Sequence, residues 1–321
     1  MEEIDQDGYR ADLSCEGVGE METKCLVCGS ERILKRPTKI SDFLVEKIWG
    51  EKEAAKRHDV NLCHCEDCSF SFYDRRLTDD ESNRLYEGYR GERYQKIREK
   101  YDCWYTEKVN NALNNDSLAL EEQRRVINMI ISRNIKTEIK EALDYGGNEG
   151  ESFTSQIGTH KKYVYDISDV KTKQGVEKVK SYEELLKYRF DFIMCNMTLE
   201  HVSYPDQFMK LLYDVGCEET YYYVEVPSEN PFESNKFSIL DNVGLLLNPY
   251  YSKVRLVKAY FQKKKQPYMP MSEHVNFWTP KSIQILMERC GFQVIDVQEN
   301  YEKGVLGKNK VLSVLVKKNE G

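Results

Sequence analysis

Leu143-Asp144-Tyr145-Gly146-Gly147-Asn148-Glu149-Gly150 is the stretch on which the fold turns. The apolar run that enters it, Ala142-Leu143-Asp144-Tyr145, reads as a strand, and a helical stretch follows. Glycines between a strand and a helix allow a tight turn and let backbone approach a ligand closely. The next apolar run, Tyr163-Val164-Tyr165-Asp166, ends in an acid 22 residues after Asp144. A carboxylate at that place can accept both hydroxyls of a ribose. The lysine of a phosphate-gripping P-loop is missing. The plainer alternative is an ordinary turn followed by a solvated aspartate.

Outward from this loop, short apolar runs alternate with helical stretches: 191–195, 221–226, 292–297 and 312–316. That alternation predicts parallel βαβ units in a doubly wound, Rossmann-like α/β sheet. The last two runs lie close together, which suits a terminal antiparallel hairpin. Upstream, residues 79–135 are charged and free of proline, and Leu118, Val126, Ile127, Ile130 and Ile131 recur at helical spacing. Asn and Asp cluster at 110–116, a seam between modules. The expected organisation is an acidic leader (1–23), a small Cys-rich module (24–75), a helical connection (76–135) and the sheet domain (136–321). An insertion interrupts the last at about 227–272.

Composition narrows the function. The chain has 321 residues, 40% hydrophobic and 31% charged, which excludes a disordered protein. No apolar run approaches the ~18 residues of a membrane span. Met1-Glu2-Glu3-Ile4-Asp5 is unlike a signal peptide, so a cytoplasmic protein without membrane insertion is expected. A net charge of -7 argues against DNA and against a general RNA binder. One basic run, with six Lys/Arg over 253–265, is suited to a diphosphate such as that of a nucleotide-sugar. A solvated helix face is the alternative there.

Four of the ten cysteines form two Cys-x-x-Cys pairs, Cys25/Cys28 and Cys65/Cys68, with 36 residues between them. Four thiolates in two knuckles are what tetrahedral zinc requires, and they leave no open position, so a structural metal is expected. Cys63 or His64 offers a substitute ligand, and a small core of free thiols is the rival reading.

Taken in order, these features resemble the class I S-adenosylmethionine-dependent methyltransferases. Asp144 to Gly150 is similar to their first motif, with Asn148 at the middle glycine, and Asp166 matches the acidic end of their second strand. Phe190 to Val202 resembles the fourth strand and its Leu-Glu-His segment; Ser272-Glu273-His274-Val275-Asn276-Phe277 resembles their Glu-His-x-x-Phe segment. The cysteine module resembles the zinc-binding domain of the sugar C-methyltransferase-like members. The resemblance implies S-adenosylmethionine as cofactor. Asp144, Gly146, Gly147 and Gly150 would line its methionine and ribose portion, and Asp166 would hold the ribose. Ser181 and Tyr182 would lie near the adenine, and Asn196 near the sulfonium.

The acid–base candidates are His201 after Glu200, and His274 after Glu273. A histidine beside a carboxylate suits proton removal near neutral pH. In the family resembled, a Glu-His pair at the place of Glu273 and His274 belongs to proton abstraction, so His274, Glu273 and His201 are the expected catalytic residues. A purely structural, hydrogen-bonded role is the alternative. The expected acceptor is a sugar or sugar-containing small molecule. Rival readings are an O- or N-methyltransferase for another metabolite or RNA, and a non-catalytic interaction protein that keeps the fold. Oligomeric state is left open.

Overall fold

The computed structural model describes residues 21–168, 170–232 and 269–319. Most of the acidic leader and most of the insertion, including the basic run 253–265, lie outside the described residues.

Seven strands form the larger sheet: β4 (Ile139–Tyr145), β5 (Ile157–Tyr165), β6 (Val176–Val179), β7 (Phe192–Asn196), β8 (Tyr221–Pro227), β10 (Phe292–Gly304) and β11 (Gly307–Lys318). Their order is β10-β11-β8-β7-β4-β5-β6. The pairs from β6 across to β8 are all parallel, while β11 is antiparallel to both β8 and β10. The expected α/β sheet and closing hairpin are therefore present. Central strands covered on both faces read as unbroken apolar runs, and Phe192 to Cys195 and Tyr222 to Val226 are buried at every position. The order of parallel strands reverses direction between β4 and β7, and ligands of open α/β sheets sit at that switch, off the carboxyl ends.

Helix α6 (Ser117–Asn134) is capped by the Asp116 carboxylate, which accepts from the Ala119 amide. Its stripe Val126, Ile127, Ile130 and Ile131 packs with Ile139, Ala142, Val164 and Phe192 on one face of the sheet. Helices α8 (Pro205–Val215) and α9 (Pro280–Arg289) pack on the other face, each with proline in the first turn, where its missing N–H costs nothing.

The second sheet is antiparallel: β1 (Ile33–Lys39), β2 (Asp59–Cys65), β3 (Ser71–Tyr73) and β9 (Asn276–Phe277). The 36 residues between the cysteine pairs are thus not a loose loop. They hold β1, α1 (Asp42–Trp49), α2 (Glu51–Ala54) and most of β2, and the β1–β2 register sets Ile33 opposite Cys65. Strand β9 comes from the C-terminal half and completes the N-terminal sheet, while β3, α3 (Asp79–Tyr86), α4 (Glu92–Tyr101) and α5 (Glu107–Asn114) follow from the N-terminal half. Cys25, Cys65, Cys68 and Phe70 share one core with Trp278, Leu286 and Phe292.

Candidate functional site

At the carboxyl end of β4 the glycine loop adopts the backbone its sequence requires. Gly146 and Gly150 have φ of 78° and 79°. A Cβ on Gly147 would lie 2.2 Å from the Asp144 carboxyl carbon, so this residue has no room for a side chain. Asn148 has φ 51°, the left-handed region that Asn tolerates better than most residues, which explains how it stands at a glycine position. Its amide donates to Asp166 Oδ2 (2.9 Å), and Asp166 Oδ1 accepts from Ser168 (2.8 Å). The carboxylate so held keeps acceptor capacity for hydroxyl groups. Gly146 donates to the Tyr165 carbonyl (2.7 Å), tying the loop to the end of β5.

Two groups beside this loop are buried without a close partner. Asp144 is fully buried and its carboxyl oxygens have no close hydrogen-bond partner, with only a minor stabilising contact from Ser152; both amide atoms of Asn196, at the end of β7, are unmatched. Buried polar atoms left so call for a partner, whether an ordered water, an ion or a ligand. Burial, helped by the nearby Asp166 carboxylate, pushes Asp144 from 3.8 up to about 8. The folded chain then holds a proton that the unfolded chain has released, so its stability should fall as pH rises between about 4 and 8. Asp144→Asn is expected to flatten that slope and raise Tm at pH 8 by about 5 °C. The same change should weaken a cationic cofactor by about tenfold or more, since it removes a charge-assisted contact. Thermal scans against pH, with and without cofactor, check both. Ser181 and Tyr182 stand just past β6 on the same edge. Ser181 caps α7 (Tyr182–Leu185) by accepting from Glu184, and the Tyr182 hydroxyl donates to the Leu211 carbonyl (3.1 Å).

Past β7 the chain turns through Met197 (φ 49°) and presents Glu200 and His201. The segment 273–276 lies against them: Val275 and Asn276 amides donate to the Glu200 carbonyl, and His201 Nδ1 is 3.1 Å from the Glu273 carbonyl. The two imidazoles meet edge to face with ring centres 5.0 Å apart. Glu200 Oε1 is 3.7 Å from His201 Nε2, and Glu200 Oε2 and the Tyr86 hydroxyl are buried without partners.

One correction concerns the carboxylate that serves His274. It is Glu229, whose Oε2 is 3.3 Å from His274 Nδ1, and not the adjacent Glu273. The chain bends at Glu273, before β9 begins at Asn276, and the two side chains part there. Glu273 accordingly turns towards α4, where it accepts a short hydrogen bond from Tyr94 and pairs with Arg98 at 3.0 Å. Burial opposes ionisation of Glu273, but Arg98 and Tyr94 outweigh it and hold the carboxyl below its usual range. For His274, burial is outweighed by Glu229 and then Glu200, and the ring is lifted to about 9. His201 is pushed down to about 4 by burial and by the His274 cation. Burial lifts Glu200 to about 7 against the pull of His274. Glu229 escaped the sequence reading; Tyr86, Tyr94 and Arg98 lie in the aromatic-basic stretch 86–105, whose sequence suits either packing between the modules or a cover for the cleft. The one available signal was the i,i+4 spacing of Tyr94 and Arg98 on a helix.

The four cysteines converge as two matching knuckles. Gly29 and Ser69 amides return to the Cys25 and Cys65 carbonyls, and Cys25 and Cys65 amides donate to Ser30 and Phe70. Gly29 and Ser69 take φ of 74° and 61°. Sγ atoms of Cys25 and Cys68, and of Cys28 and Cys65, are 3.5 Å apart, and all four lie within 4.8 Å of one another. A tetrahedral ion with ~2.3 Å metal–sulfur bonds needs edges of about 3.8 Å, so the donor set fits. Cys63 and His64 stand outside it; His64 Nδ1 meets Ser71 Oγ at 2.8 Å.

No helix among the described residues is long and apolar enough to cross a membrane. No curated protein matches the chain. Among solved structures, it is similar to the Burkholderia thailandensis 1,6-didemethyltoxoflavin-N1-methyltransferase with bound S-adenosylhomocysteine, at 12% identity and TM-score 0.45, over 80% of this chain and 99% of that one. It is similar to an Anabaena variabilis SAM-dependent methyltransferase at 13% identity and TM-score 0.44, over 65% and 91%. The Bradyrhizobium japonicum N-methyltransferase NodS, with S-adenosylhomocysteine, matches at 10% identity and TM-score 0.39, over 65% and 91%. The family described as "Methyltransferase domain" matches residues 117–297, from the first residue of α6 into β10 and across the glycine loop and both histidines. With more than half its length in that match, the chain belongs to the methyltransferase domain family and is a class I, S-adenosylmethionine-dependent methyltransferase.

Proposed function

We propose that the protein methylates a hydroxyl-rich small molecule, a sugar or nucleotide-linked sugar, at the edge where the glycine loop meets Glu200, His201 and His274. The observation that carries this reading is the pair of buried, unpartnered polar atoms on the acceptor side of the edge, Glu200 Oε2 and the Tyr86 hydroxyl. An apolar acceptor would leave them unmatched at about 1–3 kcal/mol each, whereas a polyol supplies donors and acceptors. The family resemblance of the Glu273-His274 segment and of the cysteine module supports the sugar.

S-adenosylmethionine, when bound, supplies an electrophilic methyl group that passes to the acceptor as the C–S bond breaks and its electron pair stays on sulfur. The chain's own residues do the rest. Asp166 holds the ribose hydroxyls, and Ile167 beside it, 69% exposed, offers the apolar face that an adenine would cover. Ser181 and Tyr182 border that space from the end of β6. Gly146, Gly147 and Gly150 bring backbone to the methionine portion, and Asp144 faces its ammonium. Asn196 orders the sulfonium side. His201 and Glu200 seat the reacting group and take its proton, while His274, held as a cation by the Glu229 carboxylate, faces the charge that develops on the acceptor. Glu273 is a positioning residue: held by Tyr94 and Arg98, its carbonyl fixes the His201 ring. The four cysteines hold a structural zinc.

His201→Ala and Glu200→Gln are each expected to lower kcat by about 10²–10⁴-fold, the usual contribution of a positioned acid or base, with cofactor affinity unchanged. Turnover of nucleotide-sugars with labelled cofactor, read by mass, is the assay. Full activity in both variants would remove the cluster from the mechanism. Methylation of none of a nucleotide-sugar and glycan panel, by protein that binds cofactor, would overturn the acceptor class.

A further inference from the structure

Glu200, His201 and His274 carry more order than acid–base chemistry asks of them. One carboxylate oxygen and one ring nitrogen from each histidine lie within 4.8 Å of one another. Each histidine has its Nδ1 side engaged: His201 at the Glu273 backbone carbonyl (3.1 Å), His274 at the Glu229 carboxylate (3.3 Å). Metal-bound histidines characteristically direct their second N–H to a carbonyl or a carboxylate, which fixes the tautomer and leaves Nε2 as the ligand. Here both of those outer partners are in place, one of each kind. The third donor, Glu200, is 2% exposed, and its Oε2 has no hydrogen-bond partner. His201 Nε2 stands 3.7 Å from Glu200 Oε1, somewhat wider than two ligands of one ion, so a small closing movement suffices. Two imidazoles with one carboxylate form a donor set used for first-row divalent ions, with positions left open for a reactant; His274 joins it by releasing its Nε2 proton as the ion enters, so binding strengthens as pH rises.

We propose that Glu200, His201 and His274 bind a divalent transition-metal ion whose open position takes an oxygen of the acceptor. The inference rests on the reading of this edge as the acceptor site and adds a second metal to the protein, distinct in chemistry from the tetrathiolate centre. An ion here would lower the proton affinity of a coordinated hydroxyl, as it does for bound water. It would also fix that oxygen in register with the cofactor edge at β7. Glu229 and the Glu273 carbonyl then act by orienting the ligands.

The test uses the full chain with zinc retained at the cysteines. Titration with Co²⁺ alone is followed by visible absorption. Expected are ligand-field bands saturating at one Co²⁺ per chain without the intense thiolate-to-cobalt charge transfer that exchange at the cysteines would give. Glu200→Gln and His201→Ala should each weaken Co²⁺ by about tenfold or more, and Glu229→Gln, which touches the ion only through His274, by a factor in the same range. Glu200→Gln preserves shape, and retained S-adenosylhomocysteine affinity reports that it is folded. Glu229→Gln, at a half-exposed position, decides the matter if the buried variants fail to fold. Bands only of thiolate type, or Co²⁺ affinity indifferent to Glu229→Gln and to every folded variant of the other two, would overturn the proposal. Co²⁺ binding without any cofactor binding would leave the metal site standing and sink the methyl-transfer reading; cofactor binding without Co²⁺ would do the reverse.

Discussion

Arg76→Ala is expected to cost about 3–5 kcal/mol of folding stability and to abolish turnover. Arg76 is 2% exposed, and its guanidinium donates to the carbonyls of Tyr73, Val202, Ser203 and Val275 and to Asn276 Oδ1. Asn276 in turn donates to the Leu199 and Val202 carbonyls. One planar fork therefore joins the end of β3, the loop that bears Glu200 and His201, and the segment that bears Glu273 and His274. Truncation strands several buried acceptors at once and frees both histidine-bearing segments. Arg76→Lys should recover only part of the loss, because an ammonium cannot span the same acceptors. Urea unfolding with matched m-values measures the first effect. A change below about 1 kcal/mol would show that water replaces the fork without penalty.

Loss of the metal proposed at the four cysteines should have a larger effect still. Structural zinc contributes about 10–16 kcal/mol in small modules, comparable to a whole domain's stability of about 5–15 kcal/mol. Cys25→Ser, or chelation under mildly denaturing conditions, is expected to unfold the N-terminal sheet. The damage should not stop there. The knuckles share a core with Trp278, Leu286 and Phe292, Arg289 donates to the Val27 carbonyl, and β9 lies in the N-terminal sheet itself. A single cooperative transition shifted down by well over 10 °C is expected in circular dichroism, together with loss of cofactor binding. Metal analysis far below one zinc per chain in protein of unchanged Tm would refute the assignment.

The large sheet was legible because its central strands are buried on both faces. Runs such as Phe192-Ile193-Met194-Cys195 therefore announce themselves without any partner in view. The glycine loop was legible for a related reason: Gly147 has no space for a side chain, and that constraint is local. The cysteine quartet was legible through spacing alone, although the two helices within its long gap were not. What stayed hidden depends on contacts distant in sequence. β9 is two residues long, too short for any periodicity, yet it bridges the halves. Arg76 sits among charged residues and looks solvated until 127 and 200 residues of separation close onto it. Glu229 replaces Glu273 as partner of His274 because the chain bends at Glu273, whose carboxylate is held by Tyr94 and Arg98 instead. The cluster at 110–116 is not a loop, since residues 110–114 lie in α5, and α6, which the sequence placed in the connection 76–135, packs on the sheet and begins the family match at residue 117.

Cofactor capture falls to the loop from Asp144 to Gly150, where Gly147 has no room for a side chain. Calorimetric titration of the wild-type chain with S-adenosylhomocysteine, beside Gly147→Ala, measures it. The prediction is one site per wild-type chain and a loss of at least about tenfold in the variant, since an added Cβ must displace the Asp144 carboxyl it would overlap. A folded wild-type protein that takes up no cofactor at millimolar concentration, or a Gly147→Ala variant that binds as well as wild type, would contradict it.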